Sequence, residues 1–72
     1  MPSLDHAELD KRFTYHAPKD DQPARYVELR DGARWFAAAI LEYTPSSREQ
    51  SLAITALEES VFWANAAIAR NE

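Results

Sequence analysis

Tyr43-Thr44-Pro45-Ser46-Ser47-Arg48-Glu49-Gln50 decides the fold of this 72-residue chain. Pro45 has no amide hydrogen and biases Thr44 away from helical geometry, so a helix cannot run through it. Ser46-Ser47-Arg48-Glu49 is a capping box, and Ser47 to Gln50 offers the same box one residue later. The stretch therefore ends one helix and starts another within a few residues. A connection that short between two long helices makes an antiparallel hairpin.

Upstream, the first long helix is expected over residues 21–43. Asp21 is a suitable cap, and Pro23 falls in the first turn, where its missing N–H does no harm. Tyr26, Leu29, Ala33, Phe36, Ile40 and Tyr43 then recur at alternating spacings of three and four, one apolar stripe of a helix. Gly32 interrupts it at about 1 kcal/mol against alanine. Either it lets another helix approach, or Asp31-Gly32 splits the helix; the continuous form is expected. Downstream, residues 46–70 read as the second helix, with the stripe Ile54, Leu57, Val61, Ala64 and Ile68. Residues 1–20 form an N-terminal arm. Its first part is one or two helical turns with Ser3 as the cap. The rest, with Thr14, Tyr15, His16 and Pro18, is extended.

Composition agrees with a single all-α domain. Apolar residues make up 46% of the chain, thirteen of them alanine, with one glycine and four prolines outside the long periodic runs. The longest apolar run, Trp35 to Leu41, falls far short of the roughly 20 residues that span a bilayer. The start of the chain lacks the pattern of a signal peptide, and cysteine is absent, so a soluble protein of a reducing compartment is expected. A net charge of −4 without a continuous Lys/Arg stripe argues against extended DNA or RNA. A small anionic ligand held by a few local cations remains compatible.

A two-helix hairpin hides one stripe per helix, yet Val27, Trp35 and Leu41 fall off the first stripe. Leu52, Phe62, Trp63, Ala66 and Ala69 fall off the second. So short a chain buries little apolar surface by itself. The surplus predicts self-association; the alternative cover is the arm itself, through Leu4, Leu9 and Phe13.

The residues point to no catalytic set, metal or cofactor. His6 and His16 do not share a helical face, and no His-Glu-x-x-His pattern occurs. Ser46, Ser47 and Ser51 are explained as caps. Glu58 and Glu59 point about 100° apart, one toward solvent and the other toward a cation. The informative stretch is Lys11-Arg12-Phe13-Thr14-Tyr15-His16-Ala17-Pro18-Lys19. It interleaves three cations and a histidine with two aromatics. A ring stacks on a base, and Arg or Lys holds a phosphate. Phe13 reads better as a core anchor, and Tyr15 is open between ligand and apolar edge. Arg25, Arg30 and Arg34 read as solvated charges with local partners, such as Arg30 with Tyr26 and Arg34 with Asp31. Asn65, mid-helix among small residues, needs a partner, expected across a helix interface. Arg70 complements a helix C-terminus.

Arg12-Phe13-Thr14-Tyr15-His16, Pro18-Lys19, Ser47-Arg48-Glu49-Gln50-Ser51-Leu52-Ala53 and Phe62-Trp63-Ala64-Asn65-Ala66-Ala67-Ile68-Ala69-Arg70-Asn71 resemble a set of small phage proteins over about residues 12–72. That set is similar to the helical-hairpin family of phage anti-CBASS and anti-Thoeris sponges. The resemblance implies a symmetric homo-oligomer, commonly a hexamer, in the cytoplasm of the host cell. Its members bind cyclic di- or oligonucleotide immune signals between protomers and sequester them without cleavage. By motif, the base-stacking tyrosine falls on Tyr15. The phosphate-binding lysine falls on Arg30 in Leu29-Arg30-Asp31-Gly32, a change that keeps charge but alters geometry. Arg12, His16 and Lys19 stand in support, and Asn65 and Arg70 are the remaining ligand-binding expectations. Asp20-Asp21 departs from the pattern by placing two negative charges beside the expected pocket. The competing reading, from another class, is a helical protein-interaction or assembly module whose Trp35 and Trp63 dock a partner helix. A hydrolase would need a catalytic set that the residues do not offer.

Overall fold

The computed structural model describes residues 4–72. Three helices follow one another: α1 (His6–Phe13), α2 (Gln22–Tyr43) and α3 (Arg48–Asn71), with no strand among the described residues. Membership of the all-α class and the hairpin both hold. The packing between helices is that of α2 along α3, and α1 makes no comparable contact.

Each end has a local cause. The expected cap Ser3 lies outside the described residues. Instead Asp5 caps α1, its Oδ1 accepting from Glu8 N at 2.9 Å. Asp20 takes a positive φ of 52°, which aspartate tolerates, and turns the chain into α2. Asp21 occupies the cap position of α2 but forms no side-chain cap bond. Its carboxylate instead lies 3.3 Å from Arg25 Nη2. Helix α2 is continuous through Gly32, and no atom lies within 4 Å of a Cβ placed there. Within one chain Gly32 therefore serves neither a break nor a close approach.

The decisive turn uses the later of the two boxes. Ser47 Oγ accepts from Gln50 N at 3.1 Å, so α3 starts at Arg48 and not at Ser46. The box is not reciprocal. Gln50 Nε2 donates across the turn to Thr44 O and Thr44 Oγ1, each at 3.1 Å. Thr44 closes α2 by donating from N and Oγ1 to Ile40 O, at 3.1 and 2.6 Å.

The seam of α3 runs through Ile54, Leu57, Val61, Ala64 and Ile68, all half-buried as the spacing predicts. On α2 it runs through Tyr26, Leu29, Ala33, Ala37 and Ile40. Ala37 replaces the expected Phe36, and Tyr43 is 81% exposed. Seven residues fit two turns of a coiled coil but drift on a straight 3.6-residue helix, so the stripe slips by one position at Phe36. No hydrophobic residue among those described is fully buried. Phe13 is 84% exposed, and Leu4 and Leu9 are exposed as well. The arm does not cover the hairpin, and Phe13 does not anchor it. The radius of gyration is 15.5 Å, with extents of 45 × 29 × 16 Å. A compact chain of this length would have about 11 Å. One copy is an elongated hairpin whose apolar surplus stays in view.

Candidate functional site

The arm leaves α1 at Thr14 and crosses the C-terminal half of α3. His16 Nε2 lies 2.8 Å from Lys11 O, one of the carbonyls that α1 cannot satisfy internally. The ring thus donates to the end of α1 and pins the arm there. Between α1 and that pin, Tyr15 is 83% exposed. Within one chain the ring is not part of a core.

Between arm and α3 lies an open groove of about 560 Å³. Arg12, Tyr15, His16, Asn65 and Arg70 all line it. Five of the seven expected binding residues, from α1, the arm and α3, therefore meet in one place. Asp20 and Asp21 do not line it, so their negative charge does not enter the groove walls.

Its chemistry is that of an acceptor-seeking, flat-faced cleft. Arg12 Nε donates to Glu8 Oε1 at 3.0 Å, which orients the guanidinium on the helix surface. Arg70, in the last turn of α3, enters no ion pair among the described residues. Asn65 Oδ1 is buried and has no hydrogen-bond partner. An unpartnered buried amide oxygen costs about 1–3 kcal/mol, so this acceptor awaits a donor. The cross-helix bond expected for it is not made within one chain. Phe62 meets Trp63 edge-on, centroids 5.2 Å apart at 85°. Trp63 Nε1 donates to Glu59 Oε1 at 3.3 Å, and neither Glu58 nor Glu59 enters the expected ion pair among the described residues.

Two expected residues fall elsewhere. Arg30 lines a separate groove of about 280 Å³ between the helices, beside Arg34, Ala37, Leu57 and Val61. Neither Arg30 nor Arg34 has an ion-pair partner within 4 Å among the described residues, so the expected Arg34–Asp31 pair does not form. Lys19 turns away from Tyr15 and donates Nζ to Glu72 O at 3.0 Å. There Arg25 binds the Glu72 carboxylate through both terminal nitrogens, the Nη1 bond being 2.9 Å. The Arg25 guanidinium, with Gln22 in support, holds the Glu72 carboxyl near 2, well below its ordinary 4.5. The reciprocal bond raises Arg25 above its already high value.

The groove also uses residues given other roles by the spacing. Tyr26 belongs to the helix seam as well, and Phe62, Ala66 and Ala69 to the surplus face. The signal for the last two was present: small residues flanking Asn65 on one side of α3 leave room for a neighbour. No helix among the described residues is long and apolar enough to cross a membrane. No cluster of metal-ligating side chains occurs among them either.

Residues 5–69 match a family model described as Acb2/Tad1, hairpin domain. No curated protein and no solved structure matches the chain.

Proposed function

The chain belongs to the Acb2/Tad1 hairpin-domain family, an anti-defence family, and from that premise we propose that it sequesters a cyclic di- or oligonucleotide immune signal without cleaving it. The observation that carries the reading is the groove between arm and α3. It sets the exposed Tyr15 ring beside Arg12 and Arg70 and an unpartnered Asn65 oxygen. A cyclic nucleotide offers a flat base, phosphates and exocyclic amines, which suit the ring, the guanidinium groups and the amide oxygen in turn.

The same set supports binding better than catalysis. A phosphodiester cleaved by a protein needs a nucleophile with its base, or a metal. Tyr15, two arginines and an asparagine offer stacking and hydrogen bonds, while His16 gives its Nε2 hydrogen to Lys11 O. Enough copies lower the free signal by mass action in the host cytoplasm, where the effector waits.

Arg30 joins this scheme only through assembly. Within one chain it lines a different groove, so a second copy of the hairpin brings its guanidinium to a phosphate held at Tyr15. The uncovered apolar faces of α2 and α3 support such an assembly, proposed as a symmetric oligomer of up to six chains. They support the competing interaction-module reading equally; what favours the sponge is the exposed Tyr15 ring set beside two guanidinium groups, a pairing that suits a base and a phosphate.

A panel of cyclic di- and trinucleotides, screened by melting temperature, tests the proposal. At a hundredfold excess over Kd a ligand contributes about 2.7 kcal/mol. That is a rise of roughly 10 °C or more for a domain this small. A panel that leaves the melting temperature unchanged rejects the proposed function and leaves the interaction module.

A further inference from the structure

Glu72 follows α3, yet it reaches the start of α2. Its carboxylate accepts from both Arg25 terminal nitrogens and from Gln22 Nε2 at 3.3 Å. Its main-chain oxygen accepts from Lys19 Nζ. The other end of the Gln22 amide, Oε1, accepts the Lys19 N–H at 3.1 Å. Gln22 is the one residue fully buried among those described, at 3% exposure. Both ends of a buried amide are thus committed, one to the arm and one to the end of α3.

The placement matters because the groove has two long walls, with Arg12 of α1 and Tyr26 of α2 completing its lining. One is the arm from Thr14 to Pro18, and the other is α3 from Phe62 to Arg70. His16 ties the arm to α1, which packs on neither long helix as α2 packs on α3. The ties that run from the arm's far end to α3 pass through Lys19, Gln22 and Glu72. We propose that Gln22, Arg25 and Glu72 form a latch that positions the arm against α3 and so sets the width of the Tyr15 groove. None of the three lines the groove, so they are positioning residues and not ligand contacts. A two-pronged Arg–carboxylate pair backed by a buried amide has fixed geometry, unlike a single exposed ion pair.

Amide hydrogen exchange and backbone order parameters of the unliganded protein test the latch. In Glu72→Ala the Lys19 amide should exchange at least fivefold faster, although its own acceptor, Gln22, is untouched. Order parameters of residues 15–17 should fall, while interior amides of α2 and α3 keep their protection. Gln22→Leu should give the same loosening, and the double variant little more, since both act through one device. Glu72→Gln keeps an acceptor oxygen and should retain part of the protection. Wild-type exchange at Lys19 in Glu72→Ala overturns the proposal. So does fully additive loosening, or loss of protection spread evenly over the hairpin. The consequence for ligand affinity rests on the proposed function, but this experiment uses no ligand, so failure of the latch and failure of the sponge give different results.

Discussion

Tyr15 and Asn65 carry the residue-scale predictions. Base stacking on an aromatic ring contributes about 1–3 kcal/mol. Tyr15→Ala should therefore weaken binding of a cyclic nucleotide about tenfold or more, measured by calorimetry on a variant that keeps the wild-type mass. Tyr15→Phe keeps the ring and should be milder. Because the ring is exposed, neither change should lower the melting temperature of the unliganded protein. Arg30→Ala should also weaken binding if a second copy delivers that cation, with Arg30→Lys retaining part of the affinity. Asn65 separates stability from binding. Replacing a buried, unsatisfied oxygen with an apolar group relieves a penalty of about 1–3 kcal/mol. Asn65→Leu should thus raise the melting temperature of the unliganded protein by several degrees while abolishing much of the ligand-induced rise. A fall in the unliganded value would show that the oxygen is already satisfied in the assembled protein.

The helix ends and the seams set the behaviour of the elements. Ser47→Ala removes the observed cap of α3 and should cost about 1 kcal/mol, or about 4–8 °C in melting temperature. Ser46→Ala should do far less, since Ser46 caps nothing. The Glu72 carboxyl is held near 2 against an ordinary 4.5. A depressed carboxylate contributes stability that is present above its unfolded value and lost as pH falls toward its folded value. Acid titration followed by circular dichroism should show α2–α3 stability declining between about pH 4.5 and 2, with Glu72→Gln removing part of that decline. At this scale the sequence was most legible where one residue type has one physical use. Pro45 and the serines after it located the turn, and the α3 stripe appeared where spacing placed it. The α2 stripe departs from its spacing at Phe36 because seven-residue periodicity and a straight helix diverge. The choice between Ser46 and Ser47 was invisible because both offer the same box. Asp21 looked like a cap, but Arg25 one turn on competes for its carboxylate. Phe13 looked like a core anchor because hydrophobicity alone does not tell whether a short arm packs or projects. Five of the seven expected site residues meet because arm and α3 cross near Asn65. The other two do not, since Lys19 finds an acceptor 53 residues away in sequence and Arg30 lies too far along α2 to face the arm.

At the scale of the whole molecule, one elongated hairpin leaves Trp35 at 75% exposure along with Phe36, Leu41, Leu52 and Phe62. Light scattering after size exclusion should give at least a dimer, and four to six chains at micromolar concentration, the expectation that the uncovered faces motivate. A clean monomer would remove any route by which Arg30 reaches Tyr15. Sequestration without chemistry is the central claim, and one measurement addresses it most directly. The protein is saturated with the cyclic nucleotide that raises its melting temperature most, freed of excess, held for hours, then heat-denatured, and the released nucleotide is chromatographed. The expected result is intact cyclic nucleotide, recovered in fixed proportion to protein and independent of the holding time. Linear products that accumulate with time and with protein concentration would contradict it.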